Sequence, residues 1–216
     1  MKSFHNNQTV KDKFTTRVKE HQEADEIVQD YGFWEDGKGC AVGCTLEKSN
    51  SPHGQYPVEL GLPEWLAHLE GHIFETLPVD AARQFPLDFL EAIPLGIPES
   101  SFSLLRDRFQ IFWLKRQKTQ IDLKKYGDVG QLIDTVTELL ELAISGNEPE
   151  SAAWSAAWSA AESATRSATR SAAESTAEST AESAAESAAR SAARSAAESE
   201  SLMKRDWLLA ELKSLK

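Results

Sequence analysis

Apolar positions recur at helical spacing through most of residues 1–149. Val10, Phe14, Val18, Ala24, Ile27 and Val28 mark a helix over 8–29, with Asn7 placed to cap it. Residues 40–46 read as a short helix of small residues behind a glycine-rich loop, and residues 47–61 read as a polar loop. Leu62, Pro63 and Glu64 open a helix with proline at its first position; Trp65, Leu66, Leu69, Ile73, Phe74 and Leu77 form its apolar face. Asp80 caps a short turn over 81–84, and Pro86 restarts the chain into a helix over 87–92. Ser100 or Ser101 caps a helix reaching residue 125, with Leu105, Phe109, Phe112, Trp113 and Leu114 on its apolar side. Asp128 caps the next, over 129–144, whose stripe runs Val129, Leu132, Ile133, Val136, Leu139, Leu140, Ala143. Few β-branched residues alternate and no hairpin turn stands out, so the predicted class is all-α.

Behind this head the pattern changes to twelve tandem tetrads over 151–198, Ser-Ala-Ala-X with occasional Thr, in which only the fourth position varies freely. Alanine, glutamate and arginine favour helix, serine less so. Neither Gly nor Pro occurs between Glu150 and Lys216, so nothing ends a helix once begun. A continuous helix over 150–215 would be roughly 100 Å long. The period of four drifts about 40° per tetrad, so no fixed apolar seam of the coiled-coil kind forms. The tract reads either as a spacer or docking rod, or as a tolerated expansion of a short DNA repeat into a solvated helix, or as a partly disordered low-complexity segment. The domain reading is a helical head over 1–149, expected to fold alone, a tetrapeptide-repeat helix over 150–198 and an amphipathic C-terminal end over 199–216. Trp154 and Trp158 are the only aromatic residues in the repeat, one turn apart, and are expected to seat the root of the rod against the head. Leu202, Trp207, Leu208, Leu209, Leu212 and Leu215 give the tip an apolar face. With no turn to bring it back, the tip is expected to meet a protein partner or a second copy, as a weak dimer, or to stand in solvent.

The charge narrows the partners. Of a net −11, residues 1–150 carry −10 (15 Lys and Arg against 25 Asp and Glu) and residues 151–216 carry −1. An acidic head argues against nucleic acid as a partner. One stretch runs the other way: over 101–125, Arg106, Arg108, Lys115, Arg116, Lys118, Lys124 and Lys125 face two acids, Asp107 and Asp122. Arg108, Lys115 and Arg116 either dock on an acidic partner or membrane or meet the head's own carboxylates. The N-terminus has no apolar signal region and no run approaches a membrane span. A membrane is therefore not expected as a partner, and the expected location is cytoplasmic.

Chemistry has few candidates. Cys40 and Cys44 are too few for a disulfide framework. Cys40, at a helix N-terminus near Lys38, is the candidate nucleophile of a small cysteine enzyme, with Cys44 beside it. Cys40 and Cys44 with His68 or His72 are the candidate metal set, although His-Leu-Glu-Gly-His puts the carboxylate in the wrong place for a metalloprotease. The bland alternative is that Cys, Ala and Gly are small and let a helix approach closely. His21 and Asp25, four apart, read as a surface pair. No cofactor is expected.

The strings GKGCAVGCTLE (37–47), ELGLPEWLAHLEGHIFETLP (59–78) and FPLDFLEAIPLG (85–96) together resemble a group of small uncharacterised bacterial and phage proteins. Some of these carry similar Ser-Ala-Ala repeats behind the head. The resemblance implies a recurring helical module and brings no activity, cofactor or site residue. The expectation is a non-enzymatic interaction or structural module with a helical spacer.

Overall fold

The computed structural model describes residues 1–120, 127–147, 149, 151–157, 159, 160 and 183–216, without the side chains of 127, 128 and 183–193. Trp158 and residues 161–182 of the tetrad tract lie outside the described residues, and so do Lys124 and Lys125. The described chain is mostly helical and forms two compact units, Met1–Ser103 with Glu186–Lys216, and Leu104–Ala185.

The first unit begins with a strap. Ser3, Phe4, His5 and Asn6 form one 3-10 turn, and Phe4, His5 and Asn6 all take left-handed backbone angles, which cost an L-residue about 1–2 kcal/mol each. Burial holds them there. Phe4 is fully buried, its N–H donates to the Leu60 carbonyl at 2.6 Å, and Ser3 Oγ donates to the Pro94 carbonyl and receives the Ile97 N–H. Two glycines make room: a Cβ on Gly61 would lie 2.2 Å from the Lys2 carbonyl oxygen, and one on Gly96 2.3 Å from Asn6 Oδ1.

Helix α1 (Gln8–Glu23) starts at Asn7, whose side chain accepts the Thr9 N–H at 2.9 Å. It buries Phe14, Val18 and His21 on one stripe and packs on α5 and α2. It ends before Ile27 and Val28, which instead run beside Gly39. Two strands follow, β1 (Trp34–Glu35) and β2 (Lys38–Gly39), paired antiparallel across Asp36-Gly37. Both turn residues have positive φ, 50° and 79°, as a tight two-residue hairpin requires. The hairpin corrects the expectation of no strand: Asp-Gly was the turn signal, and the strands are too short to show a period of two.

Helix α2 (Ala41–Leu46) is entirely buried. Helix α3 (Tyr56–Glu59) lies within the stretch read as a polar loop, and its Tyr56 is fully buried. Helix α4 (Glu64–Thr76) starts after Pro63 and packs on α2 and α5. Helix α5 (Val79–Ala92) runs through Pro86 without stopping, against the expectation of a turn and a restart. Ala82, Phe85, Phe89 and Leu90 are buried on both sides of the proline, so continuing the helix preserves a core face worth more than the one lost hydrogen bond.

Helix α6 (Glu99–Lys118) enters the second unit at Leu104. There α7 (Gly127–Ile144) faces it: Lys115 bonds Glu141 at 2.8 Å and Lys118 bonds Asp134 at 2.5 Å. Residues 151–157 are helical again and bury Ala157.

Helix α8 (Ser183–Ser214) holds the end of the repeat and the tip. Arg194 to Ala197 are exposed; beyond them Ser201, Lys204, Leu208 and Leu212 are buried on one stripe, both leucines completely. Ser101 Oγ donates to the Lys216 carbonyl at 3.3 Å. The tip thus folds onto residues 1–103 of its own chain, which corrects the expectation that it could not return. That expectation rested on the missing Gly and Pro alone, whereas the gain from burying the apolar stripe is a tertiary term.

Candidate functional site

The two candidate cysteines belong to the α2 segment. Two carbonyl–glycine contacts fix its position. The Phe33 carbonyl oxygen lies where a Cβ on Gly43 or Gly39 would sit, 1.3 Å and 2.0 Å away. At the other end Arg17 of α1 donates to the Thr45 carbonyl at 3.1 Å and pairs with Glu47 at 3.2 Å, a cation at a helix C-terminus. Cys40 is the N-cap residue and Cys44 lies one turn on. Cys44 Sγ donates to the Gly39 carbonyl at 3.3 Å in a fully buried setting.

Burial pushes the Cys40 thiol up despite the Gly43 and Val42 N–H groups that favour its thiolate. It pushes Cys44 up to about 12, helped by the neighbouring Cys40 and Glu26. Both are therefore protonated at neutral pH, the opposite of an activated nucleophile. What passes close to Gly39 and Gly43 is the backbone of Phe33 rather than another helix.

Beneath α2 lies a pair that the motif reading passed over. Tyr56 of α3 donates its hydroxyl to Glu70 Oε2 of α4 at 2.6 Å, and both side chains are fully buried. Glu70 Oε1 has no hydrogen-bond partner. Burial pushes Glu70 up to about 8, partly offset by the tyrosine, so the carboxyl holds a proton at neutral pH. The Tyr56 hydroxyl is raised well above its usual range by burial and by Glu70. The signal was legible: Glu70 falls between Leu66 and Ile73 on the apolar face of its helix.

The histidines are elsewhere. His68 stacks on His53, ring centroids 4.0 Å apart and planes 10° apart, with Glu64 3.7 Å from its Nε2 and Phe33 edge-on to His53. Burial and the neighbouring His68 lower His53. His72 is lowered by burial and by Lys204 of the tip. Among the described residues no three His, Cys, Asp or Glu side chains gather to hold a metal ion, so Cys40, Cys44, His68 and His72 are not brought together as ligands. His21 pairs with Glu26 at 2.6 Å and not with Asp25, which meets Arg83 at 3.1 Å, because α1 ends and Asp25 turns away with positive φ. The His21 Nε2 lies 3.3 Å from Glu47 Oε1 without hydrogen-bond alignment.

The interaction candidates are placed separately. Within the second unit Trp154 lines an apolar cleft of about 310 Å³ with Trp113, Leu114, Leu132, Ile133 and Val136. Trp207 is half-buried on the tip helix, beside the sealed Leu208 and Leu212. Lys115 is engaged by Glu141, while Arg108 is exposed and Arg116 half-buried. A smaller cleft in the first unit, about 270 Å³, is lined by Ile27, Val28, Asp30, Val79 and Arg83.

These features define a mostly helical protein with a sealed cysteine segment and a C-terminal helix that belongs to the same compact unit as residues 1–103. No protein-family model, no curated protein and no solved structure matches the chain. Among the described residues no helix is long and apolar enough to cross a membrane.

Proposed function

We propose that the chain is a non-enzymatic interaction or structural module, in which the Ser/Ala tract is a helical spacer and the contacts made are with protein, including weak self-association through the C-terminal tip. The observation that carries this reading is the anchoring of the repeat. On one side Ala157 is buried and Trp154 lines an apolar cleft; on the other the stripe Ser201, Lys204, Leu208, Leu212 is buried, with exposed residues 194–197 before it. A spacer needs fixed ends and a middle free of breaks, and the tetrads carry neither Gly nor Pro, with Glu and Arg at their fourth positions from Glu162 to Glu198. Removing two tetrads, 167–174, is expected to leave the thermal unfolding of the full chain unchanged. A lost or broadened transition would make the tract part of a fold and sink the spacer reading.

The runner-up, a cysteine enzyme using Cys40 or Cys44, is separated by alkylation at pH 7. Both thiols are expected to react more slowly than free cysteine in the folded chain, at the ordinary rate in urea. A folded-state rate above that of free cysteine would favour the enzyme.

A further inference from the structure

We infer that the first unit carries a peptide-binding edge at Ile27, which takes up an extended, basic segment of a partner protein in the cleft between residues 27–30 and the start of α5. The inference rests on the reading of the chain as an interaction module and adds a contact site other than the C-terminal tip. It begins with the backbone. Residues 26–28 run beside β2 and are bridged to it in parallel at Ile27 and Gly39. The Gly39 N–H donates to the Glu26 carbonyl at 3.1 Å, and the Val28 N–H donates to the Gly39 carbonyl at 2.9 Å. The C=O and N–H of one planar trans peptide unit point opposite ways. With the Glu26 C=O and the Val28 N–H turned to β2, the Ile27 N–H and C=O lie on the far edge. Among the described residues nothing bonds either of them. Ile27 is only 4% exposed, and a backbone donor and acceptor with so little solvent call for a partner.

A cleft of about 270 Å³ adjoins Ile27, with residues 27–30 along one side and Val79, Ala82 and Arg83 of α5 along the other. Adding a strand to an open edge is a general way to bind peptide: main-chain bonds hold it and pockets for alternate side chains select it. A segment running antiparallel can exchange both bonds with Ile27 through one of its residues. Val28 and Val79, the latter 58% exposed, offer aliphatic surface to its apolar side chains. Charge sets the rest of the preference. The Asp30 N–H donates to Glu75 Oε2 at 2.8 Å, which brings two acidic residues together beside the cleft. The Glu75 carboxyl is raised by burial, drawn down by the Asp30 N–H and raised again by the Asp30 charge. Neither acid has a cationic partner among the described residues, and Arg83, the cation of the cleft, is held by Asp25 at 3.1 Å. A lysine or arginine of the incoming segment supplies the missing charge.

The test is amide NMR of the isotopically labelled full chain, titrated with the peptide acetyl-Val-Arg-Val-Arg-Val-amide. Two control peptides carry Glu in place of Arg, or methyl groups on every peptide nitrogen so that no main-chain bond can be donated. The Ile27 amide signal is expected to move downfield as it gains a hydrogen bond, with those of residues 28–30 and Val79. The Kd should be on the order of 0.1–1 mM, as two main-chain bonds and a small cleft allow. N-methylation should weaken binding about tenfold, the effect of losing a main-chain hydrogen bond. Val79→Lys, a change at an exposed position, should weaken it by a similar factor with melting unchanged. Asp30→Asn should remove the preference for Arg over Glu. A spectrum unmoved by millimolar peptide, or shifts confined to other residues, would overturn the site. Equal binding of the N-methylated peptide would overturn pairing at the edge, and equal binding of the Glu peptide would overturn a basic partner. Each of these results leaves the spacer reading standing, because that reading fails on the tract deletion instead.

Discussion

Glu70 is the residue whose environment has the clearest consequence in solution. It is sealed among apolar side chains with a single tyrosine hydroxyl and an orphan oxygen. Its folded pKa is raised to about 8 from the ordinary 4.5. The folded state therefore binds the proton more tightly than the unfolded chain. Its contribution to stability is fully present below about pH 4.5 and is lost as pH rises through about 8, on the order of a few kcal/mol in all. His53 and His72, both lowered, act in the opposite sense and lose stability as the pH falls. Urea unfolding of the parent and of Glu70→Gln between pH 5 and 9 isolates the carboxyl: the parent should weaken with rising pH relative to the variant. Parallel curves would show that Glu70 is ionised in the folded chain. Gly43 is the second telling residue. Alanine there would drive a Cβ into the Phe33 carbonyl oxygen, against backbone that cannot yield cheaply. Gly43→Ala should lose about 3 kcal/mol or fail to fold, while Gly32→Ala, with nothing within 4 Å of its Cβ, should be near neutral on thermal melting.

At the scale of elements, local signals and packing divide the work. Asn7 caps α1 as its side chain predicts, and Asn7→Ala should cost about 1 kcal/mol in urea unfolding. The tip helix buries a stripe that ends in Leu208 and Leu212. Leu212→Ala should cost about 2–5 kcal/mol on the same measurement. A loss below about 0.5 kcal/mol, the range of ordinary surface substitutions, would mean the stripe is not buried in solution. Helix α6 shows how a basic face can be spent inside its own unit, since Lys115 and Lys118 meet carboxylates of α7. Such exposed pairs contribute at most about 1 kcal/mol each, so charge reversal at Lys115 should shift the melting temperature only slightly.

For the whole molecule the important fact is that the last residues belong with the first. Met1 pairs its amino group with Glu99 and Lys216 bonds Ser101, so both termini meet at the start of α6. Residues 1–103 share one compact unit with the C-terminal helix, in which Leu208 and Leu212 are fully buried, so the expectation that residues 1–149 fold alone has a direct test. A chain ending at Glu198 should melt at lower temperature than the full chain and expose an apolar groove to a hydrophobic dye. Equal melting and no dye binding would restore the independent head.

The sequence by itself determined the helical class, the cap of α1, the apolar faces of α1, α4 and α7, and the short helix behind the glycines. These follow from side-chain type and a period of 3.6, which act over a few residues. It also held two signals passed over in reading, Asp36-Gly37 and the carboxylate on the face of α4. Only the tertiary structure decided that α5 continues through Pro86, that Tyr56 anchors a buried helix in an apparently polar loop, and that the cysteines are sealed rather than activated. The same holds for the C-terminal stripe closing on residues 1–103. Each of these depends on apolar area shared by residues far apart in the chain, which local pattern does not encode.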